Sequence, residues 1–150
     1  MRKPRAITKV LSMNDTGETG GHQAGILIPK GNDALHFFPD LGNTEKNPRV
    51  SLYFTDQNGK VWKFNFIYYN NKFFDPKGTR NEYLLTGMTA YIRGNGLKAG
   101  DTVTLIHGED DVDAITYTRA TAPAIKTSLA EDGTVRKRLT LGSAWKVIDY

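Results

Sequence analysis

Lys60-Val-Trp-Lys-Phe-Asn-Phe-Ile-Tyr68 is the stretch that decides the fold. Trp62, Phe64, Phe66 and Tyr68 fall on every second position, with Lys63 and Asn65 between them. A period of two sends successive side chains to opposite faces of an extended chain. One face is aromatic and the other polar, so the segment is expected to be a half-buried strand with Trp62 in the core. The alternation repeats upstream in Val50, Leu52 and Phe54, and Asp56-Gln-Asn-Gly59 joins the two runs with residues that tolerate the backbone of a hairpin turn. The two strands are expected to pair antiparallel.

Working outward, further strands are expected at Ala6 to Leu11, Gly25 to Ile28, Tyr83 to Thr86, Thr102 to His107 and Ala114 to Thr118. A closing pair is expected around the Asp132-Gly133 turn, ending near Trp145 to Ile148. Two stretches read as short helices. Asn32 to Phe38 is opened by a capping Asn or Asp, and Thr89 to Arg93 is opened by Thr86 or Thr89 and stopped by Gly94-Asn95-Gly96. Seven or eight short strands separated by turn signals indicate a barrel or sandwich, not a βαβ sheet. With 39% apolar residues in 150, and neither internal repeat nor low-complexity linker, one domain over residues 1–150 is expected.

Composition removes several functions. The chain has no cysteine and three scattered histidines, so disulfides, thiolate metal sites and a zinc-type ligand cluster are not expected. No apolar run approaches the length of a membrane span, and Met-Arg-Lys-Pro-Arg5 is not followed by the apolar segment of a secretory signal. A soluble, intracellular protein without cofactor or metal is expected. The net charge is +4, yet Glu109, Asp110, Asp111 and Asp113 concentrate four acids in five residues; setting them aside leaves +8. Arg2, Lys3, Arg5 and Lys9, then Lys72, Lys77 and Arg80, then Arg136 to Arg138 form basic groups suited to a polyanion, although each taken singly reads equally as a solvated face.

Two long polar connections stand out. Ser12-Met-Asn-Asp-Thr-Gly-Glu-Thr-Gly-Gly-His-Gln23 is dense in hydrogen-bonding side chains and carries three glycines that let a partner approach the backbone. It reads either as a base-edge reader or as a turn-rich surface loop; neither the Gly-Lys-Ser/Thr of a phosphate cradle nor dinucleotide-binding spacing is present. Asn70-Asn-Lys-Phe-Phe-Asp-Pro-Lys-Gly-Thr-Arg-Asn-Glu82 is the second. Arginine meets guanine O6 and N7 together, Asn suits adenine and a carboxylate accepts from cytosine N4, so Arg80, Asn81 and Glu82 offer a compact reading head with Lys72 and Lys77 for phosphates. The same triplet also reads as a salt-bridged loop end.

Rival chemistries can be tested on residues. Asp40, Asp75 and Lys77 superficially match the acid, acid-x-lysine arrangement that holds Mg²⁺ in nucleases, but Pro76 and Gly78 break the strand that this chemistry needs. His22 has Asp15 and Glu18 in its own loop yet no accompanying nucleophile, which argues against a general base. An oligosaccharide- or protein-binding barrel would carry Trp62 and Phe64 as surface platforms, whereas their alternation with Lys63 and Asn65 favours the core.

Ser12-x-Asn-Asp-Thr-Gly-x-Thr-Gly-Gly-His-Gln-x-Gly25, Ile28-Pro29, Tyr68-Tyr-Asn70 and Thr79-Arg-Asn-Glu82 together resemble the N-terminal effector domain of EcoRII-type restriction endonucleases. Ile28-Pro-Lys30, Phe38-Pro39, Asn58-Gly-Lys-Val-Trp-Lys-Phe64 and Gly96-Leu-Lys-Ala-Gly-Asp-Thr-Val103 resemble the plant B-three transcription-factor domain. The resemblance runs from about residue 9 to 107. It implies a mainly β, seven-stranded open pseudobarrel with two short helices, whose N-arm (about 9–23) and C-arm (about 69–82) clasp the major groove of double-stranded DNA. The implied DNA-binding residues are Lys9, Ser12, Asn14, Asp15, Thr16, Thr19, His22 and Gln23 in the first arm. In the second they are Tyr69, Asn70, Lys72, Lys77, Thr79, Arg80, Asn81 and Glu82. No catalytic residue is implied. The expected protein is a cytoplasmic, prokaryotic recognition domain of a restriction endonuclease, binding a short G·C-rich, CC(A/T)GG-like site as a monomer, with a nuclease domain linked outside this segment. The alternatives are a small Mg²⁺-dependent nuclease and a transcription-factor-like DNA-binding module. Tyr83 and Leu84 follow the Arg-Asn-Glu triplet where the restriction-enzyme pattern continues with basic residues.

Overall fold

A computed structural model describes residues 3–18, 25–120 and 144–150. Among them run the strands β1 (Ala6–Val10), β2 (Ile26–Ile28), β3 (Arg49–Thr55), β4 (Val61–Tyr69), β5 (Glu82–Thr86), β6 (Thr102–His107), β7 (Asp113–Thr118) and β8 (Lys146–Asp149). They form one sheet in the order β2-β5-β4-β3-β7-β6-β1-β8. The described residues thus hold eight strands where the resemblance implies seven, within the same mainly β class. The expected Asp132-Gly133 turn lies outside the described residues; the strand after it is β8, beside β1.

The deciding stretch forms β4 and pairs antiparallel with β3 as expected, Val50, Leu52 and Phe54 lying opposite Phe66, Phe64 and Trp62. Phe54, Phe64 and Phe66 are fully buried. Burial of such a side chain contributes about 2 to 3 kcal/mol. Between β3 and β7 the pairing is parallel and holds a single registered pair, Thr55 with Ala114. This thin seam joins two antiparallel halves. At the far ends of the order, β2 and the residues leading into β8 flank a cleft of about 400 Å³ lined by Ile26, Leu27, Ala144 and Trp145. The sheet therefore remains an open barrel.

Trp62 departs from expectation by being only half-buried. Its ring meets Tyr91 edge-on, and its Nε1 donates to Asp56 Oδ2 at 2.9 Å. The indole hydrogen bond, ahead of the Lys60 and Asn58 amides, holds the Asp56 carboxyl below the usual aspartate range. Helix α2 (Met88–Gly94) buries Met88, Tyr91 and Ile92, the one-face spacing of a short amphipathic helix. Its N-cap is Gly87 at φ +95°, not Thr86 or Thr89. A Cβ there would be strained by the left-handed backbone and would stand 3.0 Å from the Lys63 carbonyl oxygen of β4, so glycine suits the position. The stretch expected at Asn32 to Phe38 forms the tighter 3₁₀ turn Asp33–Phe37, capped by the Asn32 side chain.

Candidate nucleic-acid interface

The C-arm leaves β4 at Tyr69 and returns into β5 at Glu82. Its first turn is the 3₁₀ segment Asn71–Phe73. Asn71 Oδ1 accepts from the Arg80 amide at 2.9 Å, and the Lys72 amide donates to the Arg80 carbonyl at 3.1 Å, closing the arm at its base. Gly78 lies so close that a Cβ would fall 2.1 Å from the Asn71 carbonyl oxygen, and only glycine fits. Asn70 is fully buried beneath the arm. Its Oδ1 accepts from the Asn47 amide at 2.7 Å and its Nδ2 donates to the Glu45 carbonyl at 2.9 Å.

On this base stands a preset guanidinium. Arg80 lies over the Tyr69 ring, 3.8 Å from its centroid, while Nε and Nη2 donate to Glu82 Oε1 at 3.0 and 2.7 Å. Stacking and a charged fork hold the side chain in one orientation and reduce the entropy lost on engaging a ligand. Both side chains remain 39% exposed, and the pair sets Nε and Nη2 against Oε1, with Nη1 and Glu82 Oε2 outside it. Asn81 has its Oδ1 engaged by the Tyr68 hydroxyl at 2.7 Å, and Lys72, Lys77 and Thr79 are exposed.

The N-arm, expected as a loop, begins instead with a one-turn helix α1 (Met13–Thr16). Ser12 and Asp15 form a capping box, each side chain accepting from the other's amide at 3.1 and 2.9 Å, and Gly17 ends the turn at φ +81°. Asp15 also pairs with Lys9 of β1, and both side chains are more than nine-tenths buried. Glu18 Oε2 accepts from the Ala99 amide at 3.0 Å. The Thr16 hydroxyl foremost, and then that amide, hold the Glu18 carboxyl below its usual range. Asn14 is exposed and Thr16 partly so. Thr19, His22 and Gln23 lie outside the described residues.

The implied site residues therefore divide by geometry. Tyr69, Arg80 and Glu82 come together; Lys72, Lys77, Thr79 and Asn14 face solvent; Lys9, Asp15 and Asn70 turn inward, because their polar atoms are spent on anchoring the two arms. Pattern reading did not separate buried anchors from exposed side chains, since the same polar residue types serve in both places. The register adds residues that it overlooked. Tyr69 and Glu82 are opposite each other on the outer sheet face, which continues through Asn65 and Lys63 of β4 and Ser51 and Arg49 of β3. Lys63 and Arg49 are exposed there, and the period-two alternation had already marked Lys63 as outward. The N-arm returns through Ile26, paired with Leu85, whereas the C-arm enters at Glu82. The arm roots thus lie at opposite ends of β5, about 10 Å apart at a strand rise of roughly 3.3 Å per residue.

The acids of the nuclease alternative have partners of their own. Asp40 caps the Gly42 amide at 2.9 Å, while Asp75 pairs with Lys46 at 2.7 Å. Among the described residues, no group of three or more His, Asp or Glu side chains could hold a metal ion. No helix among them is long and apolar enough to cross a membrane.

Comparison with known proteins places this geometry in a family. Residues 4–97 match the family described as restriction endonuclease EcoRII, N-terminal. The type II restriction enzyme EcoRII of Escherichia coli is 38% identical over 101 residues, which cover 65% of this chain and 24% of the enzyme. The B3 domain-containing transcription factor NGA4 of Arabidopsis thaliana is 33% identical over 108 residues, covering 71% of this chain and 28% of that protein. The chain thus matches about a quarter of the length of these relatives. A solved structure of the Arabidopsis FUS3-DNA complex has the same fold, with a TM-score of 0.56 and 21% identity, covering 76% of this chain and 96% of that one.

Proposed function

The chain belongs to the family of the restriction endonuclease EcoRII N-terminal domain, and from that premise we propose that it recognises double-stranded DNA sequence-specifically, reading a short G·C-rich, CC(A/T)GG-like site in the major groove through its two arms. The observation that carries the proposal is the Arg80 guanidinium, fixed by the Tyr69 ring and Glu82 at the end of the outer sheet face. Guanine presents O6 and N7 side by side in the major groove, and a planar fork meets both at once. Glu82 Oε2 is suited to a neighbouring cytosine N4 amino group. The separation of the arm roots is comparable to the major groove, about 12 Å wide.

Affinity and specificity come from different residues in this mechanism. Lys63, Lys72, Lys77 and Arg49 neutralise phosphates and release counterions, which attracts any duplex. Arg80, Glu82 and the N-arm supply base contacts, while Lys9, Asp15 and Asn70 hold the arms in place. No step requires a cofactor. Cutting belongs to a nuclease domain linked outside this segment, and the segment binds its site as a monomer in a prokaryotic cytoplasm. Selection from a pool of randomised duplexes tests the reading: a short G·C-rich consensus is expected, and a pool that remains random after repeated rounds overturns it.

A further inference from the structure

Phe73 and Phe74 are adjacent at the turn of the C-arm, 62% and 41% exposed. Neither is a loose end. The Phe73 amide donates to the Asn70 carbonyl at 3.0 Å and the Phe74 amide to the Asn71 carbonyl at 3.1 Å. The Asp75 amide reaches the same Asn71 oxygen at 2.9 Å. A hydrogen-bonded turn therefore presents two phenyl rings partly to solvent, forgoing a part of the roughly 2 to 3 kcal/mol that full burial of each would contribute.

Their surroundings indicate what covers them. The Lys72 ammonium stands 6.0 Å from the Phe73 ring centroid, and Lys77 is exposed four residues further on. Asp75, the acid of the turn, is neutralised by Lys46. An apolar tip rimmed by positive charge suits a partner with apolar groups set between anionic ones. The Lys72–Arg80 backbone bond ties this tip to the guanidinium proposed to read guanine. In the major groove the thymine C5-methyl is the apolar group that distinguishes one base from another, and phenylalanine is among the side chains that contact it.

We infer that Phe73 and Phe74 read a thymine C5-methyl group near the guanine engaged by Arg80. The inference rests on the DNA-recognition reading and adds to it a specificity that hydrogen bonds do not supply.

Uracil pairs like thymine and lacks only this methyl, so the test needs no change to the protein. The 150-residue chain is titrated with the duplex selected from the randomised pool, and with the same duplex carrying uracil at every thymine. Wild type should lose about three- to fivefold in affinity, the effect of leaving roughly one methyl group unburied. The double variant Phe73→Ala, Phe74→Ala should bind both duplexes alike while retaining wild-type affinity for random-sequence DNA; an unchanged melting temperature checks its fold. The inference is overturned by a wild type indifferent to uracil, by a selected site without thymine, or by a variant that keeps the thymine preference. It is also overturned by a variant that weakens on all duplexes equally, which would mark a backbone contact. If no sequence is selected, the DNA-recognition reading falls and takes this one with it; if a sequence is selected and uracil is tolerated, only this one falls.

Discussion

Arg80 and Tyr91 are opposite cases of a polar group on an aromatic setting. Arg80 is fully partnered on one side and open on the other, so its removal should cost specificity more than attraction. Arg80→Ala is expected to weaken the selected duplex by about 1 to 3 kcal/mol and leave random duplex nearly unchanged, measured at matched salt. Equal losses on both would make Arg80 a phosphate contact. Tyr91 is buried with its hydroxyl unpartnered among the described residues, and burial pushes its ionisation upward. An unsatisfied buried hydroxyl costs about 1 to 3 kcal/mol. Tyr91→Phe should therefore raise stability, by about 1 kcal/mol in urea unfolding, and a lowered midpoint would reveal a hydroxyl contact that supports the core.

At the scale of elements, the N-arm depends on an ion pair taken out of water. Removing one partner of a buried pair strands the other charge and costs about 3 to 5 kcal/mol, whereas replacing both with apolar residues is often neutral. Asp15→Ala should accordingly be strongly destabilising, and the double change Lys9→Met, Asp15→Leu should recover most of the loss. Equal denaturation midpoints for single and double variants would locate the cost in the lost capping box instead. The β3–β4 hairpin carries a pH signature. Asp56 is held below its ordinary value of 3.8 by the Trp62 indole and two turn amides. A lowered folded-state value means that the unfolded chain binds the proton more readily, so the stabilisation is complete above the unfolded value and is lost as pH falls through the folded one. Urea midpoints should decline from pH 5 to below pH 3, partly through Glu18, which is lowered in the same direction. Asp56→Asn should flatten this decline, and an unaltered profile would remove the hairpin from the acid response.

For the whole molecule, the four exposed cations proposed to meet phosphates, Arg49, Lys63, Lys72 and Lys77, make salt dependence the relevant measurement. If each neutralises one phosphate, log K against log[salt] should slope at about −3 to −4, near −0.9 per contact. Lys72→Ala should lower that slope by about one unit on all sequences alike. Retained binding with a flat slope would refute the phosphate track.

What the sequence determined by itself was whatever depends on neighbours along the chain. Alternation from Trp62 to Tyr68 is a local property of an extended backbone, so β4, its partner β3 and their antiparallel pairing were legible, as was the mainly β class. The two arms were legible as unusually polar connections, and Arg80 as a group chemically suited to guanine. Only the tertiary structure decided which of these polar residues are spent as buried anchors and which stay exposed. Lys9 meets Asp15, and Asn70 meets Asn47 and Glu45, through packing between separate segments, and burial then commits their hydrogen bonds inward. It also decided that Trp62 is half-buried and that Gly87 caps α2, because both follow from how closely the helix approaches β4, a distance that no local pattern encodes.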